Sequence, residues 1–243
     1  MTRHLLPVVA MSFTATALAA TADAQQGPAA TTHAIVQNAT AHTSTRLLVA
    51  RSEKLDKIGW LEAETTYRPD TGMSYRIVRE GGDKGIRNRV LRKVLENEKA
   101  MSAPDASHRF ALSPDNYRLL PEGDGRAVRL TPRRREPALV DGLATIAPDG
   151  RLRKVEGRLA KSPSFWVRSV DIARTYQDVA GHSLPVHVES VADVRFAGTC
   201  EFSMWIDYTA VDGRVIATAT ARREPPATAA VSLLVAWQSS MSQ

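Results

Sequence analysis

From Trp166 to Tyr208 apolar and polar residues alternate almost without interruption, and no other feature limits the fold of this chain as tightly. Trp166, Val170, Ile172 and Tyr176 hold even positions, against Ser169, Asp171, Ala173 and Thr175. Gly181 breaks the run. Val186, Val188, Ala192, Val194 and Phe196 then alternate with His187, Glu189, Asp193 and Arg195. After Gly198, Phe202, Met204, Ile206 and Tyr208 repeat the pattern. Successive side chains of a strand point to opposite faces, so three consecutive strands share one continuous apolar face. A face that wide must be covered or must hold something apolar.

Hairpins precede this region. Asp149-Gly150 turns Leu139–Ala147 into Leu152–Leu159, and Gly123-Asp124-Gly125 turns Tyr117–Leu120 into Ala127–Thr131. Nearer the start, Gly59–Pro69 reads as a strand. It is turned at Asp70-Thr71-Gly72 into a second strand carrying Met73, Tyr75 and Ile77 on one face, and Gly81-Gly82 ends that hairpin. Lys84–Ala103 is the clearest helix. Ile86, Val90, Leu91, Val94, Leu95 and Met101 form one apolar stripe, Asp83 is placed to cap it, and Arg92 and Glu96 stand one turn apart. Ser102–Ser113 reads as a loop. His33–Lys57 is expected to be helical, with Ile35, Leu47, Leu48, Val49 and Leu55 as its apolar members, although its threonines weaken helix propensity. Val231–Trp237 is apolar but too short to span a membrane, and suits an edge strand or a short helix.

The first residues have the layout of a secretory signal. A short polar start at Arg3 and His4 leads into the small and apolar run Leu5–Ala20, and Ala22-Asp23-Ala24 fits the small-x-small cleavage rule. The expectation is a signal peptide over 1–24, a linker over 25–32, one domain over 33–212, a tail over 213–243, and export to the periplasm. About 219 residues would remain, enough for one core without disulfide staples. Cys200 is the single cysteine, so no intramolecular disulfide can form, and its strand context predicts a buried small hydrophobe.

The net charge is +6, with basic residues grouped at Arg126, Arg129, Arg133, Arg134 and Arg135 and again from Arg151 to Lys161. Arg133, Arg134 and Arg135 form a candidate basic surface, either simply solvated or drawn to an anionic membrane or an envelope protein. No nucleic-acid recognition motif is present, and no nucleic-acid partner is expected.

Enzyme signatures are missing. There is no Gly-x-Ser-x-Gly elbow, no His-Glu-x-x-His and no phosphate-cradling glycine loop. His33, His42, His108, His182 and His187 lack metal-ligand spacing and read as surface or structural histidines. Glu62 and Glu64 share a strand face, as paired carboxylates of a hydrolase would, but alternate carboxylates on a strand usually face water. The reading is a protein with no catalytic residues, no metal and no cofactor.

Five segments carry a family resemblance: the helix Arg89–Glu98, the block Val155–Trp166, Tyr176–Gly181, Leu184-Pro185 and Glu189–Arg195. Through them the stretch from Gly81 to Tyr208 resembles exported bacterial proteins related to the outer-membrane lipoprotein-sorting carriers, the LolA/LolB-like group. The resemblance implies an α+β, mostly β fold. Its curved antiparallel sheet would be an unclosed half-barrel, with helices covering the concave face and a cavity for acyl chains between them.

Together these readings predict a carrier of lipid acyl chains or lipoprotein anchors. Its expected cavity lining is Met73, Tyr75, Ile77, Trp166, Val170, Ile172, Val188, Val194, Phe202, Met204 and Ile206. Its expected lid is the stripe Ile86, Val90, Leu91, Val94, Leu95 and Met101. The competing expectation is a non-enzymatic envelope protein with a plugged sheet and a basic docking face.

Overall fold

In a computed structural model of the chain, the structure describes residues 40–216. The expected signal segment, the linker and Val231–Trp237 lie outside the described residues.

The described residues form one 11-stranded antiparallel sheet. The strands are β1 His42–Ser52, β2 Lys57–Arg68, β3 Gly72–Gly82, β4 Tyr117–Glu122, β5 Ala127–Pro132, β6 Val140–Ile146, β7 Leu152–Leu159, β8 Val167–Val179, β9 His182–Val194, β10 Gly198–Val211 and the short β11 Arg214–Val215. Their order is β3-β2-β1-β10-β9-β8-β7-β6-β5-β4, with β11 on β10. The end strands β3 and β4 do not pair, so the sheet is an unclosed half-barrel. Edge strand β3 carries Arg76, Arg79 and Glu80, charges that discourage pairing with a second chain.

Between β3 and β4 lie a short 3-10 turn at Ser107–Arg109 and, before it, the main helical segment, α1. It begins over Lys84–Ile86, passes through a π-helical turn at Arg87–Leu91 and ends as a regular helix over Arg92–Met101. Asp83 caps it as the spacing predicts, its carboxylate accepting from the Ile86 N–H at 2.9 Å. Val90, Leu91, Val94 and Leu95 are buried, and the segment packs on β1, β2 and β3. The expected Arg92–Glu96 pair does not form. Arg92 reaches across to Glu80 on β3 at 2.5 Å, and Glu96 takes Lys93 instead.

The helix expected over His33–Lys57 is overturned within the described residues. His42–Ser52 is the central strand β1, hydrogen-bonded to β2 on one side and β10 on the other. Residues on both its faces are buried, Leu48 and Ala50 towards the core and Leu47 and Val49 behind. A strand dry on both faces shows a continuous apolar run rather than alternation, and that run resembles a helix segment in sequence.

The alternation from Trp166 to Tyr208 holds on β8, β9 and β10 apart from a register shift at Thr175/Tyr176, which skips Val186 and leaves it half-buried, and two departures at the strand ends. β8 starts at Val167, which is buried, and a register shift between Val167 and Ser169 leaves Trp166 outside the core. Phe196 stands in the β9–β10 turn and is 69% exposed. A bulge restarts the alternation in the first case, and a turn ends it in the second.

Candidate functional site: the inner face of the sheet

One contiguous apolar cluster runs along the inner face from β1 to β10 and takes in α1. Cross-strand register builds it in rows. Val188 on β9 sits beside Met204 on β10, which sits beside Leu48 on β1 and then Leu61 on β2. Ile206 lies opposite Arg46, and Arg46 opposite Ala63. Met73, Val170, Ile172, Val188, Val194, Phe202, Met204 and Ile206 all belong to this cluster, and Tyr75 and Ile77 pack against it. Trp166 does not. It meets Phe165 and Phe196 instead, at ring-centroid distances of 5.3 and 5.5 Å. From the stripe of α1, Val90, Leu91, Val94 and Leu95 enter the cluster and Ile86 packs on it, while Met101 is half-buried at the helix end.

Polar groups that the sequence reading passed over are set into this apolar face. Arg46 of β1 donates to Glu98 of α1 at 2.5 Å, with both side chains nearly inaccessible. Arg174 of β8 is buried and donates to the Tyr176 hydroxyl at 3.0 Å. The Tyr208 hydroxyl donates to the Pro185 carbonyl at 2.8 Å, and burial raises its pKa. The Tyr117 hydroxyl accepts from the Val140 N–H, and burial pushes its pKa up to about 12. Arg174 and Glu98 stand in the sequence as charges that break an apolar pattern. Arg174 interrupts the even positions between Ile172 and Tyr176, and Glu98 falls one turn beyond Val94 and Leu95.

His42 closes this face at one end. Its Nδ1–H donates to the Thr40 carbonyl at 2.8 Å, and its ring stacks on Tyr67 at 5.3 Å and meets the edge of Tyr208 at 5.2 Å. Burial, followed by the nearby Arg46 charge, lowers its pKa to about 4, so the ring is neutral at pH 7.

The other candidates do not converge. His182 lies between Asp212, at 3.1 Å, and the buried Thr40 hydroxyl, at 3.3 Å, and ties the strand ends together. His187 stacks on Trp205 at 4.9 Å. Glu62 is ion-paired with Arg79, and Glu64 with Arg76 at 2.7 Å. Among the described residues no group of three or more His, Cys, Asp or Glu side chains is placed to hold a metal ion. No helix among them is long and apolar enough to cross a membrane. Cys200 is half-buried beside the core, and burial raises its thiol pKa.

Of the basic triplet, Arg133 donates to the Pro114 and Tyr117 carbonyls. Arg134 holds the Arg109 carbonyl and the Asn116 side chain, and Arg135 reaches the Ala160 carbonyl. Arg133 and Arg134 fasten the loop after α1 to the β5–β6 connection, and Arg135 ties that connection to the residue after β7, although all three side chains lie at the surface.

No family model and no curated protein matches the chain. Among solved structures it is similar to a LolA superfamily protein from Nitrosomonas europaea, at 9% identity and a TM-score of 0.39, covering 77% of this chain and 92% of that one. A likeness of that extent assigns no function.

Proposed function

We propose that this chain is an exported, non-enzymatic carrier that holds the acyl chains of a lipid or of a lipoprotein anchor against the inner face of its sheet. The observation that carries the reading is the inner face itself: one contiguous apolar cluster on an unclosed sheet, its members buried against one another and, over β1–β3, against α1, so an acyl chain would enter by taking the place of those contacts. Moving an acyl chain from water onto such a surface is favourable by roughly 0.8 kcal/mol per methylene. Arg174 and the buried tyrosine hydroxyls give that face the few polar groups by which an amphiphile is oriented. Export to the periplasm belongs to the same proposal and rests on Leu5–Ala20 and the Ala22-Asp23-Ala24 motif.

The basic-docking alternative keeps Arg133, Arg134 and Arg135 at the surface, with part of the donor set of Arg133 and Arg134 spent on backbone carbonyls.

Native mass spectrometry of the purified protein, followed by lipid extraction, tests the carrier. The expected result is a bound acyl species at near-unit occupancy that Ile172→Asp or Met204→Lys empties. A clean apo mass with no uptake of added fatty acid or phospholipid would sink the reading.

A further inference from the structure

Three turns at one end of the sheet carry exposed apolar side chains. The β1–β2 turn presents Leu55, the β7–β8 loop presents Phe165 beside Trp166, and the β9–β10 turn presents Phe196. Leu55, Phe165 and Phe196 are 51%, 72% and 69% exposed.

The turns are fixed to one another. The Arg195 N–H donates to the Trp166 carbonyl at 2.7 Å, the Glu53 N–H donates to the Thr199 carbonyl at 3.3 Å, and the Ser52 hydroxyl donates to the Ala197 carbonyl at 3.1 Å. Phe165, Trp166 and Phe196 form a chain of ring contacts, and the Arg195 guanidinium lies 4.6 Å from the centre of the Phe165 ring.

Phe196 also has φ +71°, in the left-handed region that a bulky side chain rarely occupies. Glycine or asparagine would hold that turn with less strain. What the aromatic ring gives the fold there is its contact with Trp166, and strain kept at a position this exposed points to function.

Charges of both signs surround the cluster, and its basic groups stand on the same turns as the exposed rings. Lys54, whose side chain lies against Gly198, Lys161 and Arg195 flank it. Asp193 is the carboxylate nearest in sequence to the β9–β10 turn and is paired with Arg168 at 3.4 Å, while Glu53 and Asp56 lie on the β1–β2 turn.

We infer that this end of the sheet is a membrane-docking tip, with Phe165, Trp166 and Phe196 entering the interface of an anionic phospholipid bilayer and Arg195, Lys161 and Lys54 meeting its headgroups. Aromatic rings favour the headgroup level of a bilayer, and basic side chains favour an anionic surface. A bilayer fits better than a protein partner because the apolar groups stand on turn tips. A soft interface accepts such knobs, whereas a protein would need pockets matched to each. The inference does not depend on the carrier reading, since none of the three rings belongs to the inner-face cluster.

The test is co-sedimentation of the full chain with phosphatidylglycerol–phosphatidylcholine vesicles and with pure phosphatidylcholine vesicles. The wild-type chain should partition onto the anionic vesicles. Phe165→Ser/Phe196→Ser and Lys161→Glu/Arg195→Glu should each lower that partition by about tenfold while leaving fatty-acid uptake unchanged. Phe196→Gly should weaken vesicle binding while keeping or raising the melting temperature, because it releases the strained φ.

A local readout removes any contribution from other parts of the chain. The emission that Trp166→Phe deletes should be quenched by vesicles of brominated anionic lipid. Emission from Trp166 that such vesicles leave unquenched, or doubly substituted variants that partition like the wild type, would overturn the docking tip.

Discussion

His42 shows how one residue couples the buried face to pH. In the unfolded chain its imidazole titrates near the ordinary 6.5, whereas in the folded protein burial and the Arg46 charge lower that to about 4. Between these values the unfolded state binds a proton that the folded state does not. Stability contributed by this site is therefore fully present above pH 6.5, falls as the pH drops below it, and stops falling below about pH 4. The loss amounts to about 3 kcal/mol. Urea denaturation at pH 7 and pH 4 should show His42→Phe losing about 3 kcal/mol less than the wild type over that interval. The phenyl ring keeps the stacking on Tyr67 but carries no titrating group. Equal losses in the two proteins would refute the assignment.

At the scale of elements, the contact that matters most is the one between α1 and the sheet. Its apolar part is the stripe Val90, Leu91, Val94 and Leu95, and its polar part is the Arg46–Glu98 ion pair. Desolvation offsets much of the attraction in such a pair, so its presence adds little, but removing one partner strands a buried charge. Glu98→Ala should cost about 3–5 kcal/mol in chemical denaturation, and Arg46→Met/Glu98→Leu should recover most of that loss. A double variant as unstable as the single one would show that the pair is itself stabilising. The π-helical turn at Arg87–Leu91 was not visible in the apolar spacing. It depends on where β2 and β3 receive the helix, and the spacing of 86, 90, 91, 94 and 95 suits an unbroken α-helix equally well.

For the whole molecule, the deciding seam is β1 with β10. The chain builds β1–β3 first and β4–β10 after the helix, and only the pairing of His42–Ser52 with Cys200–Val211 makes the two runs one sheet. Ending the chain after Ala197 would remove β10 and leave β1 and β9 each with an open edge. Such a chain should lose cooperative unfolding and near-ultraviolet circular dichroism. A truncated protein that still unfolded cooperatively at the wild-type denaturant midpoint would show that the two runs are independent.

What the sequence determined by itself was local and periodic. The hairpins at Asp70–Gly72, Gly123–Gly125 and Asp149-Gly150, the capped helix after Asp83 and the dry face of β8, β9 and β10 all follow from turn chemistry and side-chain spacing over a few residues. The antiparallel, mostly β class followed from these. Tertiary structure decided the rest. It made His42–Ser52 a strand, because neighbours on both sides and burial on both faces outweigh the local pattern. It turned Arg46, Arg174 and Glu98 inward, because partners distant in sequence or packed beside them offset the cost of burying charge. It also moved Trp166 and Phe196 out of the core and into contact with each other, because a register shift and a turn carry no signature in the alternation of the residues that flank them.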